Sequence, residues 1–258
     1  MIVIKHDRIA DIPALHVAAE DAFYSELPLV IFIHGFTSAK EHNLHFAYLL
    51  AEEGFRVVLP EALHHGERNE KGLSNSDMGP LFWSIVINEI EEIGAIKNRL
   101  EEQGLIDSRI GLAGTSMGGI TTYGALTQYD WIRSAVTLMG SPYYRKFAEE
   151  QIRYMENNGE ELPISHNELQ ETLDLLDRFD LGQNIEALQE RPLLLWHGRQ
   201  DNVVPYSHSE QFYMEVLDHY GDPGRKLKFI SDPQAAHKVS REALLNTVDW
   251  FTSHLLAR

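Results

Sequence analysis

The 258-residue sequence predicts an α/β domain, a mostly parallel central sheet with helices on both faces. Three observations carry that expectation. Short apolar runs of strand length alternate with longer amphipathic segments, the pattern of strands joined by helical crossovers. Several of those runs are apolar without a break, as strands covered on both faces are. No repeat, Pro-rich tract or Gly/Ser linker divides the chain, so a single domain over 1–258 is expected.

In chain order, "MIVIKH" and "IPALHVAA" read as an opening antiparallel pair, and "PLVIFIHG" (28–35) as a buried strand by its β-branched and aromatic content. "EHNLHFAYLLAEEG" reads as a helix closed by Gly54, and "RVVLPEA" as the next strand. After a polar loop, residues 81–104 show helical spacing. "SRIGLAG" then reads as a strand, "GGITTYGALTQ" as a helix and "IRSAVTLMG" as another strand. Downstream come the strand "RPLLLWHG", a helix near 207–220, the strand "RKLKFIS" and a final helix "REALLNTVDWFTSHLL". Residues 141–190 interrupt this rhythm with helical sequence holding twelve acidic and four basic residues, −8 of the chain's formal charge of −17. The insertion reads either as a helical lid or cap, or as a solvated surface insertion. Its place after a strand end, where α/β enzymes gather their sites, favours the lid.

The chemistry concentrates in "GTSMGG". Gly114, Ser116 and Gly118 match G-x-S-x-G on a strand-to-helix turn, where a Cβ two residues either side of the serine would collide with neighbouring backbone. Such a turn pushes the Ser116 hydroxyl out of the sheet edge at a helix N-terminus, where free N–H groups favour developing negative charge. A plain Gly-rich turn or phosphate cradle is the alternative. The stretch, however, lacks a P-loop lysine and the spacing of a dinucleotide fingerprint. A serine nucleophile needs a base, and the base an orienting carboxylate, in the chain order Ser, Asp or Glu, His. "LLLWHGRQDNVVP" delivers Asp201 just past a strand, and "FISDPQAAHKVS" delivers His237 just before the last helix. His237 is the one histidine of thirteen between the last strand and the last helix. Asp232, the rival carboxylate, lies too near His237 in sequence for the usual geometry. Two backbone donors complete the expected site: the N–H of Met117, and that of Phe36 where the chain leaves "VIFIHG".

"HGFTSAKE", "GTSMGG" and "HGRQDNVVP…AAH", in this order, resemble the α/β-hydrolase superfamily. Within it the chain is most similar to the small bacterial YitV/YjfP-type carboxylesterases, related to the catalytic domain of prolyl oligopeptidases. The resemblance covers essentially the whole chain and is weakest over 141–190. It implies an α/β-hydrolase fold, hydrolysis of small carboxylic esters without a cofactor, Ser116 as nucleophile, His237 as base, Asp201 as orienter, and Phe36 and Met117 as oxyanion donors. Fold analogy leaves the substrate open.

Where many relatives turn through an Asp and a Gly-rich loop, this chain has "EALHHGERNEKG". His64, His65 and Arg68 are possible pocket residues with His34, although His34 also reads as a buried residue satisfying local backbone groups. A metal site is disfavoured, because adjacent side chains diverge and no carboxylate–His spacing completes a ligand set. A charge of −17 argues against nucleic acid and anionic membrane surfaces. There is no Cys, no signal-peptide pattern in the opening residues and no run of about 18 apolar residues. A cytoplasmic enzyme acting on a small-molecule ester, with neither metal nor cofactor, is therefore expected. Thioesterase and peptidase activities share the same machinery. A hydrolase fold that binds a small ligand without turnover is the rival from another class.

Overall fold

The apolar runs become one eight-stranded sheet in a computed structural model that describes residues 1–69, 71–159 and 165–256; residues 160–164 of the expected insertion lie outside it. The strands are β1 (Ile2–Ile9), β2 (Ile12–Ala19), β3 (Leu27–Ile33), β4 (Arg56–Pro60), β5 (Ile106–Thr115), β6 (Ser134–Leu138), β7 (Leu193–Gly198) and β8 (Leu227–Asp232). Their spatial order is β1-β2-β4-β3-β5-β6-β7-β8. β1 pairs antiparallel with β2 and β2 with β4, and every pairing from β4 to β8 is parallel. The helices are α1 (Leu44–Glu52), a short α2 (Asn75–Met78), α3 (Phe82–Glu102), α4 (Met117–Gln128), α5 (Tyr144–Asn157), α6 (His166–Leu176), α7 (Tyr206–Val216), a short α8 (Pro223–Lys226) and α9 (Arg241–Phe251).

The unbroken apolar content of the central strands follows from burial on both faces. Along β3, Leu29, Ile31 and Ile33 enter one core with residues of α3 and α4, whereas Val30 and Phe32 enter the other with α1 and α9. Along β7, Leu193 and Leu195 divide from Leu194 and Trp196 in the same way. The period of two therefore survives inside runs that look uniformly apolar. β5 begins at Ile106, ahead of the expected "SRIGLAG", and α1 begins at Leu44 after a 3-10 turn over Lys40–Asn43.

Where described, the segment 141–190 holds α5, α6 and a 3-10 turn over Ile185–Leu188 joined by turns, and it is fastened to the layer of α3, α4 and α7. Tyr144 is fully buried and its Oη–H donates to the Ile120 carbonyl at 2.6 Å. Trp83 Nε1–H donates to Gln151 Oε1 at 3.0 Å, and His208 on α7 meets Glu150 at 3.1 Å. Arg145 binds Asp177 and Asp174, which ties α5 to α6. The parallel order leaves the carboxyl ends of β3, β5, β6, β7 and β8 on one edge of the sheet, where an open α/β sheet gathers a ligand.

Candidate active site

Ser116 follows β5 directly and caps α4, with φ +54° and ψ −115°. That conformation is strained for an L-residue and persists only where its surroundings enforce it. Two glycines permit it. A Cβ on Gly114 would stand 2.3 Å from the Gly118 carbonyl oxygen, and one on Gly118 would stand 2.2 Å from the Ile33 oxygen. The Ser116 N–H is held by the Leu138 carbonyl of β6 at 2.8 Å. The turn is thus locked between β3 and β6, and the serine side chain leaves the sheet edge partly exposed.

The structure brings together the three residues singled out by motif and chain order. His237 Nε2 lies 2.8 Å from Ser116 Oγ, and His237 Nδ1 lies 2.7 Å from Asp201 Oδ2. A carboxylate only accepts, so the proton sits on Nδ1, and Nε2 is left to accept the Ser116 O–H. The Asp201 side chain is wholly buried, whereas that of His237 is 22% exposed. Two close backbone approaches align their loops. A Cβ on Gly198 would meet the Ala235 oxygen at 2.4 Å, and Gln200 N–H donates to the same oxygen at 3.0 Å.

Every acceptor site of Asp201 is addressed. Oδ1 takes the N–H groups of Val203 (2.8 Å) and Val204 (3.0 Å), while Oδ2 takes His237 and also His197 Nε2 at 3.1 Å. Burial alone would raise this carboxyl's pKa. The hydrogen bonds from His197, His237 and the Val203 amide outweigh it and hold the group well below the usual carboxylate range. His197 is a residue that motif reasoning passed over. The one signal for it was a histidine at the end of an apolar strand, four residues before the acid.

On the opposite side of Ser116 runs the loop after β3. A Cβ built on Gly35 would lie 3.5 Å from Ser116 Cβ, so this backbone passes against the serine. Among the described residues neither Phe36 N–H nor Met117 N–H donates to any protein group. The same loop is clamped from behind by residues following β4. Thr37, at φ +59°, donates its N–H to His65 Nε2 at 2.9 Å. His34 Nε2 lies 3.1 Å from the Ala62 nitrogen and 3.2 Å from Glu61 Oε1, and Lys40 binds Glu61 through its N–H (3.2 Å) and Nζ (2.6 Å). His34, His65, Lys40 and Glu61 are all buried. Burial opposes the Glu61 charge, but His34 and Lys40 outweigh it and bring the carboxyl down to about 2. Of the four residues named as possible pocket lining, His34 and His65 thus have their ring nitrogens engaged inside the protein. Arg68 forms a bidentate pair with Glu92 at 2.7 Å, and His64 sits part-exposed at φ +64°.

The arrangement can activate a hydroxyl and hold an imidazolium against a fixed anion, and the residues adjoining Gly35 and Ser116, Phe36 and Met117, keep amides that no protein group engages among the described residues. Comparison with known proteins agrees with a chemistry of that kind. The prolyl oligopeptidase family matches residues 42–257. Over 99% of this chain and the whole of each relative, "Putative esterase YitV" of Bacillus subtilis is 53% identical and "Esterase YjfP" of Escherichia coli 34% identical. Among solved structures, TT1662 of Thermus thermophilus superposes with a TM-score of 0.77 at 22% identity, over the full length of both chains. The acylaminoacyl peptidase of Pyrococcus horikoshii superposes with a TM-score of 0.73 at 19% identity, over all of this chain and 42% of the peptidase. The chain belongs to the prolyl oligopeptidase family and is a carboxylesterase-type serine hydrolase of α/β-hydrolase fold.

Proposed function

We propose that the protein hydrolyses small carboxylic esters through an acyl-enzyme on Ser116. His237 takes the Ser116 proton as Oγ attacks the ester carbonyl, then returns it to the leaving alkoxide. Asp201 keeps the imidazole in the Nδ1–H tautomer and stabilises the cation that forms. The oxyanion is received by the Phe36 and Met117 amides, and a water activated by His237 releases the acid. The observation that carries this reading is the continuous hydrogen-bonded series Ser116–His237–Asp201, ending on a serine held at positive φ.

An ester is favoured over a peptide because the relatives matched over their whole length are the ones named esterases. Twelve acidic residues in 141–190 further disfavour polyanionic thioesters, if that segment covers the site as a lid. The test compares turnover of p-nitrophenyl acetate, butyrate and octanoate with that of an acyl-CoA and an aminoacyl anilide. Esters are expected to be turned over best, with Ser116→Ala lowering kcat on the order of 10⁴–10⁶-fold. Faster turnover of the anilide or of the acyl-CoA would overturn the ester assignment.

A further inference from the structure

Resting on the Ser116–His237–Asp201 reading, we infer that His197 is a positioning residue, a buried imidazole that holds Asp201 in the orientation His237 requires. His197 ends the apolar run of β7 and its side chain is wholly buried. An imidazole in such a place must have both nitrogens satisfied, and its partners fix which one carries the proton. Nε2 faces two groups that only accept, Asp201 Oδ2 at 3.1 Å and the Val204 carbonyl at 3.1 Å, so Nε2 bears the hydrogen. Nδ1 lies 2.8 Å from Ser209 Oγ and accepts that hydroxyl's proton; the alternative acceptor for Ser209, the Gly140 carbonyl, is farther at 3.4 Å.

Beneath Ser209, Thr137 Oγ1 donates to Tyr123 Oη at 2.8 Å. Thr137, Tyr123, Ser209 and His197 are all buried and belong to β6, α4, α7 and β7. Donors therefore point one way toward the carboxylate: Ser209 to His197, and His197 to Asp201. Such a chain polarises each member toward the acid and removes the carboxylate's freedom to turn about its own bond. Val203 and Val204 of its own loop fix Oδ1, and His197, from β7 outside that loop, shares Oδ2 with His237 and so helps set the direction in which Oδ2 meets His237. His197 touches neither substrate nor serine; it acts through Asp201.

The experiment uses the full chain and three variants, with kcat and KM for p-nitrophenyl acetate expressed per serine titrated by a fluorophosphonate, beside the melting temperature of each. Replacing His197 with Phe keeps a flat ring and removes the donor; kcat per titrated serine should fall roughly 10–100-fold with KM within about threefold, the penalty of a misaligned catalytic group. His197→Gln, which can present an N–H to the same oxygen, should recover most of that loss. Ser209→Ala, which releases the tautomer, should lower kcat about threefold or more. A purely structural role for His197 lowers the melting temperature and leaves kcat per titrated serine unchanged, and that result overturns the inference. So does a Gln variant no better than Phe. If the Phe variant does not fold, a Ser209→Ala enzyme with wild-type kcat overturns it instead. A wild-type protein that neither takes the label on Ser116 nor turns over ester removes the triad reading itself, a different failure from an unaffected His197→Phe.

Discussion

Asp201 and Asp232 stand at equivalent places and do different things. Each follows or ends a neighbouring parallel strand at the same sheet edge, and each uses Oδ1 to accept two loop amides. Asp201 takes Val203 and Val204 at 2.8 and 3.0 Å, and Asp232 takes Gln234 and Ala235 at 3.0 and 3.1 Å. Both are Asx-type turns, made for the ordinary reason that a short acidic side chain satisfies the amides of the residues after it. The difference lies in the second oxygen. Asp201 Oδ2 receives two imidazoles in a wholly buried setting, whereas Asp232 Oδ2 has no hydrogen-bond partner among the described residues. One turn holds the imidazole of His237; the other shapes the loop that carries it. A third carboxyl extends the contrast. Glu89 is also buried, but a single hydroxyl, Thr121 Oγ1, reaches it at 3.1 Å. Burial, only partly opposed by His34 and Thr121, pushes its pKa up to about 7, whereas Asp201 with its four donors is pushed down.

The contrast can be broken at each point. Asp201→Asn would set an amide N–H₂ against N–H donors or force the wrong tautomer on His237, and kcat should fall on the order of 10³–10⁴-fold. Asp232→Asn keeps the acceptor its loop uses and should cost less than about tenfold; parallel ester kinetics on the two variants reads the difference directly. A smaller effect is expected from Gly198→Ala, whose Cβ would meet the Ala235 and Ala236 oxygens at 2.4 and 2.6 Å and push the His237 loop away. Its kcat should drop about 100-fold, with about 1–3 kcal/mol lost in urea denaturation. Gly224→Ala, with nothing within 4 Å, should lie within about 0.5 kcal/mol of wild type. The last effect concerns stability alone. Glu89 ionises near its ordinary 4.5 when unfolded and near 7 when folded, so its burial lowers stability progressively as pH rises from about 4.5 to about 7. Glu89→Gln should therefore be stabilised relative to wild type at pH 8, by at most about 3 kcal/mol, and gain little at pH 4.5. Denaturant melts at the two pH values should show that crossover, and equal gains at both would contradict it.

Much of this was legible in the residues. The order of strands and helices follows from apolar runs whose lengths leave little choice. Ser116 declares itself because its turn needs Gly114 and Gly118 at fixed offsets, a requirement of local backbone that sequence records directly. Asp201 and His237 were readable because chain order and strand ends place them on one edge. His197 was not: it closes an apolar run, and its contact with Asp201 depends on the loop folding back over the strand that it leaves. The loop "EALHHGER" reads as possible pocket lining, and its internal pairings were not legible: Glu61 and His65 are buried because residues far away in the chain, His34, Thr37 and Lys40, bring partners to them. Long-range pairing of that kind leaves no period or spacing to read. The segment 141–190 announces its helices by periodicity, but whether they serve as a lid depends on motion that spacing does not encode.

The most direct test of the central assignment is labelling with a fluorophosphonate, followed by mass spectrometry of the modified peptide. One label per chain on the peptide containing Ser116, lost in Ser116→Ala together with p-nitrophenyl acetate turnover, is the result predicted. Label on another residue, or a Ser116→Ala protein that keeps its turnover, would contradict the account.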